Sequence, residues 1–318
     1  GGKMVSLKNT MKIAVVLSTA LIFASGCSIK RNFALKQMAN FFERVDRNPV
    51  TRTPKEAGLD FENISFKSLD GVNLSGWYIP SKGSDKLVIF NHFMVGNKAG
   101  AVPHKDWGNI GVDFIPIYKH LVDAGYNVLT YDLRNHGESD IYNDGKLGLT
   151  TIEYQDVVAS VRFAKENYPD NDFYLYSQCY GTISTIRAMD ESPEDFEDIK
   201  AFINVQPMVP KAFVEAVSKK FNIWKEDNFE IFEKQLKKRT GYTYDDVKIP
   251  ARSVKIPTLT VQVHDDWRIT PESVENIHKN ISNEDKKLLW IEDTDERLAG
   301  YNYFGENPEE MIQWFDNH

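Results

Sequence analysis

Residues 174–182, Tyr-Leu-Tyr-Ser-Gln-Cys-Tyr-Gly-Thr, constrain the fold of this chain more than any other segment. They predict a buried strand, a tight turn and the start of a helix. Ser177 and Gly181 are the small residues that flank the turn, and Cys179 lies at its centre. Small flanks are needed because such a turn strains the backbone of its central residue while strand and helix pack closely. The pattern predicts that the Cys179 side chain stands at a helix N-terminus, where amide donors favour a thiolate.

Length, charge and composition set limits on what the chain can do. Its 318 residues suffice for one large α/β domain or two small ones. The net charge of −8 and the lack of basic clusters interleaved with aromatic residues argue against nucleic-acid binding. The seven histidines show no metal-ligand spacing, and only two cysteines are present. We therefore expect no metal ion, no cofactor and no nucleic-acid partner.

The N-terminal segment has the features of a secretory signal. Lys8 and Lys12 precede an apolar run at 13–23, which Ala-Ser-Gly-Cys follows at 24–27. Such a run is short for a transmembrane span. The segment resembles a bacterial lipoprotein signal, which implies that Cys27 is lipidated and becomes the mature N-terminus. We predict an exported, membrane-anchored protein on the periplasmic or cell-surface face, with an uncleaved anchor as the alternative.

Export changes how the second cysteine is interpreted. If Cys27 carries a lipid, Cys179 is left unpaired in an oxidising compartment. A lone cysteine after a strand is more often a small buried apolar residue than a nucleophile. An unpaired thiol in such a compartment is either inert because it is buried or retained for its reactivity, and the remaining motifs favour the second role.

Short apolar segments alternate with helical segments from residue 61 onward. Segments 64–68 and 72–79 alternate polar and apolar residues about Asp70-Gly71, which predicts a hairpin. The further predicted strands are 86–92, 127–132, 173–176, 201–205, 258–263 and 287–291, and helices are predicted at 115–124 and 151–168. This alternation predicts an α/β fold, with a mostly parallel twisted sheet and helices on both faces.

The same pattern divides the chain into segments. Residues 28–60 are predicted to form a tether and lead-in helix at 33–45, and 61–318 the main domain. Within that domain, 211–256 form an insertion with two amphipathic, aromatic-rich stretches, 213–224 and 229–236. The insertion follows a strand whose carboxyl end lies where open α/β sheets bind ligands. We predict a small helical lid, with an ordinary packed excursion as the alternative.

Four motifs occur in the order that one large superfamily uses. Residues 90–100 look like the loop that helps to form an oxyanion hole, and 125–139 are similar to the strand and loop that follow it. The turn at Cys179 comes next, and 263–271 look like the acid-bearing turn. From 61 to 318 the chain therefore resembles the α/β-hydrolase fold. A fold does not by itself establish an activity.

The resemblance implies roles for individual residues. Cys179 matches the nucleophile. The backbone amides of Met94 and Tyr180 match the donors of an oxyanion hole. Asp266 best matches the acid of the triad, and Asp265 is a close alternative.

Further residues match landmarks near the nucleophile. Phe93 stands where the family usually has a glycine, and together with His92 and Gln178 it is expected to contact the substrate. His136 matches a landmark residue whose role in the family is generally structural.

The chain departs from the family at the general base. The family places a histidine in the loop that here spans 293–303, and no histidine occurs there. Glu296 or Asp295 occupies the matching place, and His318 is the only later histidine. Reference pKa values are about 4.3 for a glutamate and about 8.5 for a thiol, so a carboxylate is a poor proton acceptor for the thiol. Cysteine, however, is the nucleophile that depends least on a base.

Two classes of function follow. The first is an acyl hydrolase or acyltransferase of low activity, which uses an acyl-Cys179 intermediate on an activated ester or thioester with an acyl or lipid group. The second is an inactive hydrolase-like protein that binds a lipid, an acyl compound or a partner protein. An inactivated variant with substituted catalytic residues stays open as a third. Contact between Cys179 and Glu296, or His264, His278 or His318, would favour the enzyme.

Overall fold

The computed structural model describes residues 28–103, 109–247 and 249–318. The predicted signal at 1–27, including Cys27, lies outside the described residues. The strands of the described part are β1 Glu62–Lys67, β2 Asn73–Ile79, β3 Lys86–Asn91, β4 Gly100–Ala101, β5 Val112–Asp113, β6 Asn127–Tyr131, β7 Asp172–Gln178, β8 Ile199–Val205, β9 Thr258–Val263 and β10 Lys286–Ile291.

Eight of these strands form one twisted sheet in the order β1-β2-β6-β3-β7-β8-β9-β10. Strands β1 and β2 form the predicted hairpin about Asp70-Gly71, and β2 also pairs antiparallel with β6. From β6 to β10 every neighbouring pair is parallel. The short strands β4 and β5 pair separately, next to the loop that follows β3. The prediction of a mostly parallel sheet is confirmed.

The helices are α1 Ser28–Phe41, α2 Ile115–Asp123, α3 Tyr154–Asn167, α4 Tyr180–Glu191, α5 Pro210–Lys220, α6 Asn228–Thr240, α7 Pro271–Asn280, α8 Arg297–Glu306 and α9 Glu309–Asp316. Helices α3 and α4 pack on each other and on β1, β3 and β7, whereas α2 packs on α8 and β6. Every residue of β9 is buried. Because successive side chains of a strand point to opposite faces, helices must cover both faces of the sheet there.

The first helix is part of the globular unit. Leu35, Met38 and Ala39 of α1 are buried, and the helix packs on α6 of the insertion. Arg31 forms an ion pair with Asp227 at 2.6 Å, just before α6 begins. The predicted helix at 33–45 therefore exists, begins earlier and covers the insertion. None of the helices in the described ranges has the length and apolarity needed to span a bilayer.

The insertion forms two helices, α5 and α6, followed by a short 3₁₀ turn at Ala251–Ser253. The first predicted amphipathic stretch, 213–224, begins in α5 and extends past its end at Lys220, and the second, 229–236, lies in α6. Val214 and Val217 of α5 and Phe232 and Leu236 of α6 are buried, which gives each helix an apolar face. The insertion is thus packed on the rest of the molecule, and its role as a lid stays a prediction.

Candidate active site at Cys179

Cys179 lies at the turn between β7 and α4, at the carboxyl edge of the parallel sheet. Its backbone has φ 48° and ψ −106°, a conformation that costs a residue with a side chain energy and is typical of functional turns. Its amide donates to the carbonyl oxygen of Val205 at 2.8 Å, which ties the turn to β8. A Cβ at Gly181 would lie 2.6 Å from the carbonyl oxygens of Asn91 and His92, so only glycine fits there. The predicted turn is present.

The thiol of Cys179 opens into a cavity of about 530 Å³ between the sheet edge, α1 and the insertion. Cys179 is 8% exposed, so the cavity is its main route to solvent. The walls are mostly apolar and include Phe41, Val45, Met94, Met208, Phe213 and Leu298. A cavity of this size and lining suits a small organic ligand with an apolar body.

Tyr301 contacts the thiol through a polar group. Its hydroxyl lies close enough to Cys179 for that residue to raise the pKa of Tyr301, and its ring stacks on Phe93 with centroids 4.4 Å apart. The Nε of Arg297 donates to the same hydroxyl at 2.7 Å. Because that bond uses a lone pair of the Tyr301 oxygen, the hydroxyl proton is available for donation to the Cys179 Sγ.

Arg297 is fully buried and links Tyr301 to the predicted acid. Its Nη1 donates to Asp266 Oδ2 at 2.6 Å, and its Nη2 donates to the carbonyl oxygen of Gln206. Burial alone would lower the pKa of Arg297, but Tyr301, Cys179 and Asp266 raise it above its ordinary value. The guanidinium is therefore a permanent cation behind the Tyr301 hydroxyl, and the connected side chains run Asp266–Arg297–Tyr301–Cys179.

Tyr301 keeps its proton at neutral pH. Burial raises the pKa of Tyr301 well above 10, Arg297 opposes this rise, and negative charge on Cys179 adds to it. A phenol with a raised pKa donates hydrogen bonds and does not act as a base near neutrality. The hydroxyl can therefore stabilise a thiolate but cannot take up its proton.

The structure separates the two candidate acids. Asp266 is buried, accepts from Arg297 and also accepts from the backbone amide of Arg268 at 3.0 Å. Asp265 is exposed and contacts His264 at 2.8 Å. Asp266 is thus the one of the two that connects to Arg297, and its role as the acid of a triad stays a prediction.

The structure does not bring the candidate bases to the thiol. Glu296 precedes α8, lies 3.8 Å from Arg268 Nη2, and is absent from the described residues that line the Cys179 cavity. Asp295 is exposed. The side chain that reaches Asp266 belongs to Arg297, the residue after Glu296. A positively charged side chain therefore lies where the resemblance implies a general base.

The histidines named as alternatives are engaged elsewhere in the described chain. His264 contacts Asp265, His278 contacts Thr260 at 3.2 Å, and His318 contacts Asp285 at 3.0 Å. None of the three is among the described residues that line the cavity.

His92 and His136 are structural histidines. His92 is fully buried, its Nδ1 donates to the Phe93 carbonyl at 2.7 Å, and its Nε2 accepts from the Leu133 amide at 2.9 Å. Burial lowers the pKa of His92 to about 4 and that of His136 to about 3. His92 was expected to contact the substrate, but both of its ring nitrogens are used and it does not line the cavity.

The remaining predicted residues surround the thiol in different ways. Met94 and Tyr180 line a small recess together with Cys179, and Tyr180 begins α4, so its amide has no acceptor within the helix. Phe93 lines the main cavity. Gln178 is buried and does not line it, but its Nε2 donates to the Tyr301 carbonyl at 3.1 Å. Gln178 thus positions Tyr301.

No group of three or more His, Cys, Asp or Glu side chains within the described ranges could hold a metal ion. Three residues that give the site its charge and hydrogen bonding were not predicted from the sequence, namely Arg268, Arg297 and Tyr301. Arg297 and Tyr301 are four residues apart on one helix, a spacing that places side chains on the same face.

These features together define the α/β-hydrolase fold, which the chain has. Residues 112–227, about a third of the chain, match the family model described as serine aminopeptidase, S33. The esterase Pf2001 of Pyrococcus furiosus is 21% identical, with a TM-score of 0.64 over 86% of this chain and 98% of that one. Est1E from Butyrivibrio proteoclasticus, whose structure contains ferulic acid, is 18% identical, with a TM-score of 0.54 over 79% of this chain and 97% of that one.

A curated relative is similar over a shorter stretch. The uncharacterized protein YfhR of Salmonella typhi is 27% identical over 128 residues, which are 36% of this chain and 38% of that protein. The chain thus matches about two fifths of the length of that relative.

Proposed function

We propose that the protein is an acyl hydrolase or acyltransferase in which Cys179 is the nucleophile. The observation that carries this proposal is the strained Cys179 turn, which presents the thiol to a mostly apolar cavity beside the Tyr301 hydroxyl. The esterase neighbours of the same fold support a hydrolase class. Export and attachment to a membrane through Cys27 belong to the same proposal.

Side chains around the thiol supply a donor hydroxyl and a positive charge. A Tyr301 hydroxyl that donates to Sγ stabilises a thiolate, because hydrogen bonds to a charged acceptor are about twice as strong as neutral ones. Arg297 fixes that hydroxyl through its Nε and places a buried positive charge behind it. The amides of Met94 and Tyr180 would receive the oxyanion that forms on the substrate.

The proposed first step is an exchange between the thiol and a thioester. The sulfur of Cys179 bonds to the acyl carbon, the bond from that carbon to the departing sulfur breaks, and the departing thiol carries away the proton that Cys179 loses. The second step returns the acyl group to water or to another acceptor H–X, whose proton restores the Cys179 thiol. Both steps balance without any further reactant.

The second step is expected to be slow with water. No histidine among the described residues lines the cavity, and Tyr301 keeps its proton, so neither can activate a water molecule as a base would. Loss of a triad base generally lowers the rate by orders of magnitude. An acceptor that is itself a good nucleophile, such as an amine or a thiol, is therefore a better partner than water.

A test follows from the lifetime of the acyl enzyme. Incubation with S-hexanoyl-N-acetylcysteamine should attach one hexanoyl group per chain, seen by intact-protein mass spectrometry and mapped to Cys179. Cys179→Ala should abolish the adduct, and Cys27→Ala, the matched control at the other cysteine, should leave it unchanged. An adduct that persists in Cys179→Ala would refute the assignment.

A binding protein without turnover is the second candidate. The engagement of His92, His264 and His318 with other groups and the cation at the expected base position favour it. In that case hexanoate would raise the unfolding temperature of the protein, whereas the thioester would leave no adduct on Cys179 even after hours. Formation of the adduct within minutes would favour the enzyme over the binding protein.

A further inference from the structure

Arg268 is a buried cation in the cavity wall that lacks a hydrogen-bond acceptor at one end. Its side chain is 7% exposed, and its Nη1 finds no acceptor among the described residues. Arg297 in the same wall donates from Nε, Nη1 and Nη2 to protein oxygens. The Nη2 of Arg47, also in the wall, donates to the backbone carbonyl of Ser139 at 2.9 Å. Arg268 is therefore distinct from the other two arginines that line the cavity.

Two carboxylates lie near Arg268 but do not satisfy it. Asp266 Oδ1 is 3.7 Å from Nη1, and Glu296 Oε2 is 3.8 Å from Nη2, distances that are beyond a hydrogen bond. Burial lowers the pKa of Arg268, whereas Asp266 and Glu296 oppose that shift. A buried donor without an acceptor is costly, so such a group usually serves a ligand or an ordered water.

The charges of the cavity wall favour an anion. Its charged side chains are Arg47, Arg268, Arg297 and Asp46, which sum to two positive charges. The rest of the wall is mostly apolar, with Val45, Phe93, Met208, Phe213 and Leu298 among its members. A ligand that matches this wall has an apolar chain and one small anionic group. A single unsatisfied guanidinium nitrogen is suited to a carboxylate oxygen.

We propose that Arg268 binds a carboxylate on the acyl group. The substrates would then be linear dicarboxylic acids in which one carboxyl group is esterified or thioesterified and the other is free. The scissile carbonyl would lie at Cys179, the methylene chain against the apolar wall and the distal carboxylate at the part of the Arg268 guanidinium that lines the cavity. This inference rests on the proposed function, because it names the substrate class of the same site.

The test compares two substrates that differ only in charge. These are the N-acetylcysteamine thioester of glutarate with its free carboxylate and the same thioester with that carboxylate methylated. We expect the wild-type protein to form the Cys179 adduct at least about tenfold faster with the free acid, because a hydrogen bond to a charged group contributes roughly a factor of ten or more. Equal rates for the two substrates would overturn the inference.

Variants assign the preference to Arg268. Arg268→Gln should reduce the preference to near unity, and a cooperative thermal unfolding transition followed by circular dichroism should show that the variant is folded. Arg268→Lys should restore part of the preference. Arg162→Gln, the matched control, removes a surface arginine that pairs with Asp195 and should keep the full preference. Retention of the preference in Arg268→Gln would refute the role.

A binding measurement separates this inference from the proposed chemistry. In Cys179→Ala, which cannot form an adduct, glutarate, adipate or pimelate should raise the unfolding temperature, and their dimethyl esters should not. Adding Arg268→Gln should remove the effect. That result supports the carboxylate site even if wild-type protein forms no adduct, in which case only the nucleophile assignment fails. Absence of any shift with all three dicarboxylates overturns the carboxylate site.

Discussion

Arg297 changes the chemistry that this site can perform. A histidine between an acid and a nucleophile exchanges protons near neutral pH, whereas an arginine stays charged. Arg297 holds Asp266 through Nη1 and Tyr301 through Nε, so a fixed positive charge and a donor hydroxyl lie where a proton shuttle is expected. Neither Arg297 nor Tyr301 can therefore take up a proton from Cys179 near neutral pH.

The Tyr301 hydroxyl is expected to determine how readily Cys179 is alkylated. Tyr301→Phe removes the proposed donor to Sγ but keeps the ring that stacks on Phe93. The rate of carboxamidomethylation by iodoacetamide at pH 7 should fall about tenfold, since a hydrogen bond to a charged group is worth roughly 1.5 kcal/mol or more. Tyr303→Phe, two residues further along α8, should react like the wild type. An unchanged or faster rate in Tyr301→Phe would contradict the assigned donor.

At the scale of secondary-structure elements, α8 positions the charged side chains of the site. Its Gly300 faces Gln206, the residue that both accepts from Arg297 and donates back to the Arg297 carbonyl. A Cβ at Gly300 would lie 2.6 Å from Gln206 Nε2 and 2.7 Å from Val263 Cγ2. The close approach of α8 to the ends of β8 and β9 thus depends on this glycine.

Gly300→Ala is expected to destabilise the protein by about 1–3 kcal/mol, because the added methyl group overpacks this contact. It should also slow alkylation of Cys179, because Gln206 and Arg297 must shift. Urea unfolding measures the first effect. A Cβ added at Gly305 in the same helix would meet no atom closer than 3.4 Å, so Gly305→Ala should be neutral or slightly stabilising. Equal stability of both variants would show that the Gly300 contact is loose.

The sequence predicted the elements better than it predicted the site. Strand periodicity and the Cys179 turn depend on neighbouring residues, so the parallel sheet and the turn could be located from local patterns. The role of Arg297 could not, because its partners Asp266 and Gln206 are distant in sequence and meet only where strands end at one sheet edge. The contact of α1 with α6 is likewise set by tertiary packing and has no local pattern.

At the scale of the whole molecule, two buried histidines link stability to pH. His92 and His136 have pKa values of about 4 and 3 in the fold, below the ordinary 6.5, because both are buried. The unfolded chain therefore binds their protons more readily. The stability that they contribute is complete above pH 6.5 and is lost as the pH falls towards 4. Burial raises the pKa of Glu153 and of Asp156, so these carboxyl groups act in the opposite direction, from the ordinary carboxyl pKa of about 4 upwards, and offset part of the histidine effect.

We expect the free energy of unfolding to fall by on the order of 3 kcal/mol for each buried histidine between pH 6.5 and 4. Urea titrations across this range measure the loss. His136→Phe should remove about half of the pH dependence, while His120→Asn, the control at a half-buried histidine of α2, should retain it. A pH-independent stability in the wild type would contradict the burial of both neutral rings.

The packing of α1 on the insertion has a practical consequence for anyone who expresses this protein. Removal of a predicted signal is routine, and a cut placed after residue 45 would look harmless on the printed sequence. Such a cut would delete Phe41 and Val45, two of the side chains that line the Cys179 cavity. A shortened protein of that kind would give misleading results in ligand screens, whereas a start at residue 28 keeps the enclosure whole.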